Sequence, residues 1–242
     1  MTPRIADVWV YLSASPLLGL TLTLVAYQAA YWIYRRAGFN PLLNPVLLAV
    51  AMLVAALHFT GTPYATYFDG AQFVHFLLGP ATVALAVPLY LQFSRLRRLA
   101  LPLVVALLAG SLTAILTAVG VAWLLGAGDA TLLSIAPKSV TAPIAMGIAE
   151  KIGGIPSLTA VMVIMTGVSG AMMAKYLLDA LRITDHGVRG FAVGIAAHGI
   201  GTARAFQVSE QAGAFAGLGM GLNGLTTAIL MPLLIALWRW AA

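Results

Sequence analysis

Val193-Gly-Ile-Ala-Ala-His-Gly-Ile-Gly-Thr-Ala-Arg-Ala-Phe206 has the apolar composition of a membrane segment, yet it carries His198 and Arg204. Four glycines, Gly190, Gly194, Gly199 and Gly201, fall within the same region. Glycines so closely spaced weaken a helix, and a broken helix in a bilayer exposes N–H and C=O groups that must bind something. An ionisable side chain at the bilayer centre costs ~2.5–3.5 kcal/mol on insertion scales and is tolerated where it faces protein or water. The stretch therefore reads as an interrupted membrane segment with a functional role. Packing for His198 and interfacial snorkelling for Arg204 are the competing readings.

The surrounding chain supports a membrane setting. Of its 242 residues, 61% are hydrophobic and only 8% charged, against roughly 25% charged in an ordinary globular chain. Uncharged runs at residues 8–34, 41–68, 99–128, 152–174 and 211–238 each exceed the ~18 residues that mark a spanning helix. The expected fold class is all-α: a polytopic helical membrane protein with about seven spans, within a range of six to eight. The net charge of +6 sits in short clusters beside the spans, as the positive-inside rule expects, so nucleic-acid binding is not expected. With no cysteine, a disulfide framework and a thiolate metal site are excluded, and no metal or cofactor is expected. A cleaved signal peptide is not expected either, because the first apolar run is longer than a 7–15-residue h-region.

Along the chain, Asn44-Pro45 suits a helix start, with asparagine as cap and proline at the first helical position. Residues 61–70, rich in Tyr, Thr and Gly, read as a loop with aromatic interface anchors. Gly79-Pro80 interrupts the run at 72–93. Residues 130–154 hold Lys138, Ser139, Thr141 and prolines at 137 and 143, too polar and broken for a lipid-facing span. Ile155-Pro156 then opens another long helix.

Short matches recur in order. Ser13-Ala-Ser-Pro16 parallels Ser134-Ile-Ala-Pro137, and Asn44-Pro45 parallels Ile155-Pro156. His75-Phe-Leu-Leu-Gly-Pro-Ala-Thr82 resembles residues 194–202, and Leu112-Thr-Ala-Ile-Leu116 parallels Thr226-Thr-Ala-Ile-Leu230. The ordering points to duplication within one transmembrane domain, with repeats at about 8–125 and 130–240. If every segment crossed, the Arg35/Arg36 and Arg95/Arg97/Arg98 clusters would lie opposite Lys175, Arg182 and Arg189. A re-entrant segment between residues 130 and 154 puts all three on the cytoplasmic side, as the positive-inside rule prefers. The two three-span units are then inverted, with the N-terminus outside; an eight-span arrangement is the alternative.

Inverted repeats with broken helices near the midplane are a sequence signature of secondary transporters. Half-helix N-termini favour anions. Here one break brings Lys138 with Ser139 and Thr141, the other His198 with Thr202 and Arg204, and the break at Gly79-Pro80 offers Thr82. Arginine grips a carboxylate bidentately, lysine acts as a point charge, and hydroxyls add neutral hydrogen bonds. The expected substrate-binding residues are these seven together with Asn223, and the expected ligand is a small carboxylate. Catalytic residues are not expected, since no HExxH, phosphate-cradling Gly-Lys motif or Ser/His/Asp spacing is present.

The motifs Pro137-Lys-Ser-Val-Thr-Ala-Pro-Ile-Ala145, Ile152-Gly-Gly-Ile-Pro156, His198-Gly-Ile-Gly-Thr-Ala-Arg-Ala205 and Leu78-Gly-Pro-Ala-Thr-Val-Ala-Leu-Ala86 resemble the LrgB/CidB family. The likeness runs over nearly the whole chain. It implies a bacterial inner-membrane protein of the antiholin-like kind, which modulates murein hydrolase activity and autolysis beside a smaller LrgA/CidA-type membrane partner. It also implies a second role, because related systems are associated with pyruvate uptake and a plastid relative exchanges glycolate and glycerate. The plastid form joins both parts in one chain, whereas this chain carries only the LrgB-like part. A homo-oligomer is a further option.

Overall fold

The computed structural model describes residues 16–77, 80, 83–84 and 86–241. Among them are 11 α-helices and no strand. Ser13 to Ser15, Gly79 and Thr82 lie outside the described residues, and with them much of the first-repeat break. The chain divides into two compact units, Met1–Ala84 and Leu85–Ala242.

In the first unit, α1 (Pro16–Arg36) packs against α2 (Pro45–Thr60) and α3 (Tyr64–Phe76). Lipid offers no hydrophobic force to drive helices together, so the contacts rely on small residues and polar bonds. Ala26, Ala30 and Ala49 form the α1–α2 seam, and the Thr23 and Tyr67 hydroxyls join α1 to α3 at 2.7 Å. Asn44 caps α2 as expected, its Oδ1 accepting from the N–H groups of Val46 and Leu47. The expected loop at 61–70 is a correction. Gly61 ends α2 in the left-handed conformation, and helix resumes at Tyr64. Tyr64 stacks on Phe68 one turn along, so the aromatic residues decorate a helix instead of an open loop.

The second unit opens with short helices α4 (Ala86–Leu91) and α5 (Phe93–Arg98). It contains three helices long and apolar enough to span: α6 (Ala100–Leu124), α9 (Pro156–Ala180) and α11 (Glu210–Ala241). Between them lie α7 (Asp129–Ile135), α8 (Ala142–Ile152) and α10 (His186–Val208).

The segment between α7 and α9 leaves and comes back. Ile155 N–H donates to Ser134 Oγ at 2.7 Å, closing a 21-residue excursion. The Thr159 hydroxyl donates to the Ser134 carbonyl at 2.9 Å, and Gly154 packs on the Leu133 backbone. With its two ends pinned together, residues 135–154 cannot cross a bilayer. This is the expected re-entrant segment.

A second reversal occurs inside α10. His198 has φ 39° and ψ −132°, which divides α10 into arms at residues 186–197 and 199–208. Along the first arm, Gly187, Gly190 and Gly194 meet Gln211, Ala212 and Ala216 in turn, so this arm runs parallel to α11. Along the second, Thr202 meets Met220 and Phe206 meets Gly213, so the chain now runs the opposite way. The arms rise only ~18 Å and ~15 Å at ~1.5 Å per residue, short of a ~30 Å hydrocarbon core. The stretch read as an interrupted membrane segment is thus a hairpin that enters and leaves by one end.

The close approach has a plain cause. A Cβ at Gly190 or Gly194 would collide with the carbonyls of Ala212 and Ala216, so glycine lets the first arm lie backbone to backbone on α11.

Candidate functional site

The two re-entrant segments enter from opposite ends of the unit. The first closes at Ser134 and Ile155, beside the start of α9. The second begins and ends beside the finish of α9, where Leu178 and Asp179 share a cavity with Gly190 and Val208. α9 joins these ends, and the apices meet partway along it.

Asn223 of α11 sits at that meeting point and is almost wholly buried. Its Nδ2 donates to the Ser139 carbonyl at 3.1 Å, on the first apex, and to the Ile195 carbonyl at 3.0 Å, just before the second. Its Oδ1 accepts from Ser111 Oγ of α6 at 2.6 Å and from Thr227 Oγ1 at 3.4 Å. Both amide protons and the amide oxygen are therefore used. Irregular backbone at membrane depth needs such partners, because an unsatisfied carbonyl there costs several kcal/mol.

His198 forms the second apex and is buried. Its Nε2 lies 3.0 Å from the Val163 carbonyl, which can only accept, so Nε2 carries the proton. The His198 carbonyl in turn accepts from Thr202 Oγ1 at 2.8 Å. Gly167 provides the seat: a Cβ there would stand 2.6 Å from the ring. Val163 also packs with Val140 and Ala145 of the first segment. Lys138 is half-buried and directly precedes Ser139, whose carbonyl Asn223 holds at the first apex.

Each return arm starts at this meeting point. α8 begins after Thr141, whose side chain does not cap it, and the second arm of α10 begins at residue 199. Two helix starts, with their positive dipole ends, are thus set at the meeting point to which Lys138 belongs. The arrangement favours negative charge.

The structure brings Lys138, Ser139, Thr141, His198, Thr202 and Asn223 into one region. Arg204 is elsewhere, down the second arm, where Nη1 donates to Gln207 Oε1 at 3.2 Å. It lines a cavity of about 270 Å³ with Lys175, Asp179, His186 and Arg189. Thr82 lies outside the described residues. Ser111 and Ser134 escaped the sequence reading as site residues, although each is a hydroxyl in an apolar helix that finds a partner on another element.

A larger cavity of about 880 Å³ lies between α6 and the first arm of α10, walled by Leu103, Ile195 and Phe215. At one end Arg95 pairs with Asp185 at 2.6 Å and lies over the Phe215 ring. Asp185 also caps α10 through the Val188 N–H at 2.9 Å. That bond, and then Arg95, hold its carboxyl below the usual aspartate range against the opposing effect of burial.

The chain matches the LrgB-like family over residues 23–237. It is 35% identical over 220 residues to the uncharacterized protein YwbG of Bacillus subtilis, covering 91% of this chain and 97% of that one. It is 29% identical to the holin-like protein CidB of Staphylococcus epidermidis, with 94% and 98% covered. It is 28% identical to the antiholin-like protein LrgB of Bacillus cereus, with 90% and 95% covered. No solved structure matches it significantly.

Proposed function

The chain belongs to the LrgB-like family, and from that premise we propose that it is a secondary transporter of small monocarboxylates of the pyruvate, glycolate and glycerate class. It works in a bacterial inner membrane beside an LrgA/CidA-like small membrane protein. The observation that carries this reading is the meeting of two opposed re-entrant segments at Asn223, with Lys138 and two helix N-termini beside it. Each segment reaches the meeting point from its own end, which suits a site exposed alternately to the two sides. Lys138 supplies positive charge, the Ser139 and Thr141 hydroxyls supply neutral hydrogen bonds, and His198 with Thr202 shapes the opposite wall. Asn223, with its amide fully engaged, is a positioning residue. Arg204 serves the same substrate from the approach.

The second reading, modulation of murein hydrolase activity in the antiholin manner, is favoured by the names of the CidB and LrgB relatives. It asks for partner-binding surfaces but not for a polar meeting point between re-entrant apices. Neither reading assigns a catalytic residue.

Uptake of radiolabelled pyruvate, glycolate and glycerate into proteoliposomes, with and without the small partner, separates the two. Transport predicts uptake that Lys138→Gln removes while the protein stays monodisperse. No uptake of any of the three in either preparation sinks the transport reading.

A further inference from the structure

The cavity of about 880 Å³ between α6 and the first arm of α10 takes no part in the apex chemistry. Its floor is buried and apolar, formed by Phe191, Ile195 and Phe215. Its rims are exposed alanines, Ala106 and Ala109 on α6 and Ala192 and Ala196 on α10. Side chains that short leave a trough between the two helices. Among the described residues, Arg95, Asp185 and Thr113 are its polar lining side chains, so water finds few partners along it. In a bilayer such a trough is filled by a hydrocarbon chain or by another helix.

Length decides between them. On the α10 arm the lining runs from Asp185 to Ala196, a rise of ~16 Å at ~1.5 Å per residue. On α6 it stops at Ala114, and residues 115–124 lie beyond it. A spanning helix needs a track along the whole ~30 Å core, whereas this trough covers roughly one leaflet. A lipid chain is what one leaflet supplies.

The polar end selects the headgroup. Arg95 and Asp185 stand side by side there, 39% and 45% exposed, so both can be reached from outside. One Arg95 N–H, on Nη2, is used on Asp185 Oδ2 at 2.6 Å, of the five that a guanidinium carries. The pair presents a cation and an anion together, which complements a headgroup that carries both signs. A phosphate accepts from the remaining Arg95 donors, and a primary ammonium donates to the Asp185 carboxylate. A purely anionic headgroup would gain the first contact and be repelled at the second. A trimethylammonium headgroup has no N–H to donate.

We infer that this trough seats one molecule of phosphatidylethanolamine, its phosphate on Arg95, its ammonium on Asp185 and an acyl chain laid along the first arm of α10. The chain ends against Ile195, whose carbonyl Asn223 holds, so the lipid packs on the hairpin from its entry to its apex. The assignment is independent of the transport reading.

The test is a titration of the full chain, stripped of lipid in detergent, with phosphatidylethanolamine, phosphatidylcholine and phosphatidylglycerol of the same acyl chains, bound lipid being counted by native mass spectrometry. The wild type is expected to bind one phosphatidylethanolamine roughly tenfold more tightly than phosphatidylcholine, the worth of one charge-assisted hydrogen bond. Asp185→Asn should bring the two lipids level, and Arg95→Gln should weaken both. Ala109→Phe fills the trough from an exposed position and should abolish the tight site. Tightest binding of phosphatidylglycerol, equal binding of all three lipids, or a phosphatidylethanolamine preference that survives Asp185→Asn overturns the assignment. So does a tight site that Ala109→Phe leaves unchanged; if that variant does not fold, the Asp185→Asn comparison decides alone. Displacement of the bound lipid by one equivalent of an LrgA/CidA-like partner gives the trough to a helix and overturns it as well.

Discussion

Asn223 donates its side-chain amide to the Ser139 carbonyl at 3.1 Å, so a residue midway along a spanning helix holds the apex of a segment that does not span. The same amide holds Ile195, 28 residues away on the opposing hairpin. One side chain thereby sets the distance between the two apices.

Replacing it removes partners that have no water to turn to. Asn223→Leu strands the Ser139 and Ile195 carbonyls and the Ser111 hydroxyl, at about 1–3 kcal/mol for each buried group left unmade. The expected result is a loss of several kcal/mol, read as a large fall in thermal midpoint in detergent. Asn223→Asp sets a carboxylate oxygen against the same two carbonyls in a buried position, so it should be destabilising as well. A midpoint for Asn223→Leu equal to the wild type refutes the hub.

A single methyl group tests the seat of the apex histidine. Gly167→Ala places a carbon 2.6 Å from His198 Cε1, which pushes the ring off the Val163 carbonyl. Overpacking of this kind costs about 1–3 kcal/mol. Gly147→Ala, in α8 with nothing near its Cβ, is the control and should be neutral or stabilising by about 0.5–1 kcal/mol. Equal stability of the two variants contradicts the packing described.

The path of the chain makes a labelling prediction, and the absence of cysteine keeps it clean. Arg95 and Asp185 pair directly, so Arg97→Cys and Thr184→Cys should react with an impermeant maleimide from one side. Gly128→Cys, beyond the far end of α6, should react from the other. The positive-inside rule predicts that the side reached by the first pair is the cytoplasmic one. Labelling of residues 97 and 184 from opposite sides rejects the topology.

The Arg95–Asp185 pair predicts a pH dependence with a definite sign. Asp185 has its carboxyl held low in the folded protein, first by the Val188 N–H and then by Arg95. The unfolded chain binds that proton more readily, so the pair's contribution is present above the ordinary aspartate value near ~3.9 and is lost as pH falls through the folded value. The effect is small, since both side chains are well exposed. Thermal midpoints measured from pH 7 into the acid range should show wild type ahead of Asp185→Asn at the start, with the gap narrowing as pH falls. A gap that widens toward low pH reverses the assignment.

The sequence shows where the chain stops being regular but not which way it then goes. The spans at α6, α9 and α11 are plain from uncharged runs, and Asn44-Pro45 announces its cap. The first re-entrant segment is legible because charge placement demands an even number of crossings around it and its composition is polar. The second is not. Its arms carry the glycine- and alanine-rich pattern of a span, and the reversal rests on one residue, His198, in a conformation that side chains seldom adopt. Its direction is decided by α11, whose Ala212 and Ala216 receive Gly190 and Gly194. The loop expected at residues 61–70 failed for a local reason: a left-handed Gly61 completes the turn at once, leaving Tyr64 free to start a helix.

The bond from Ile155 N–H to Ser134 Oγ has a consequence for synthesis. The partner of Ser134 is made 21 residues later, and Thr159 and Val163, which secure the same segment, later still. When residues 135–152 leave the ribosome, α6 is there to receive Ala136 and Ile148 through Ile115, but the partners that pin the ends of the segment are not yet made. Those polar partners, Ile155 and Thr159, arrive only with α9. Asn223, emerging last, then fastens both apices, so a nascent chain stopped before α11 should leave the re-entrant segments open to protease.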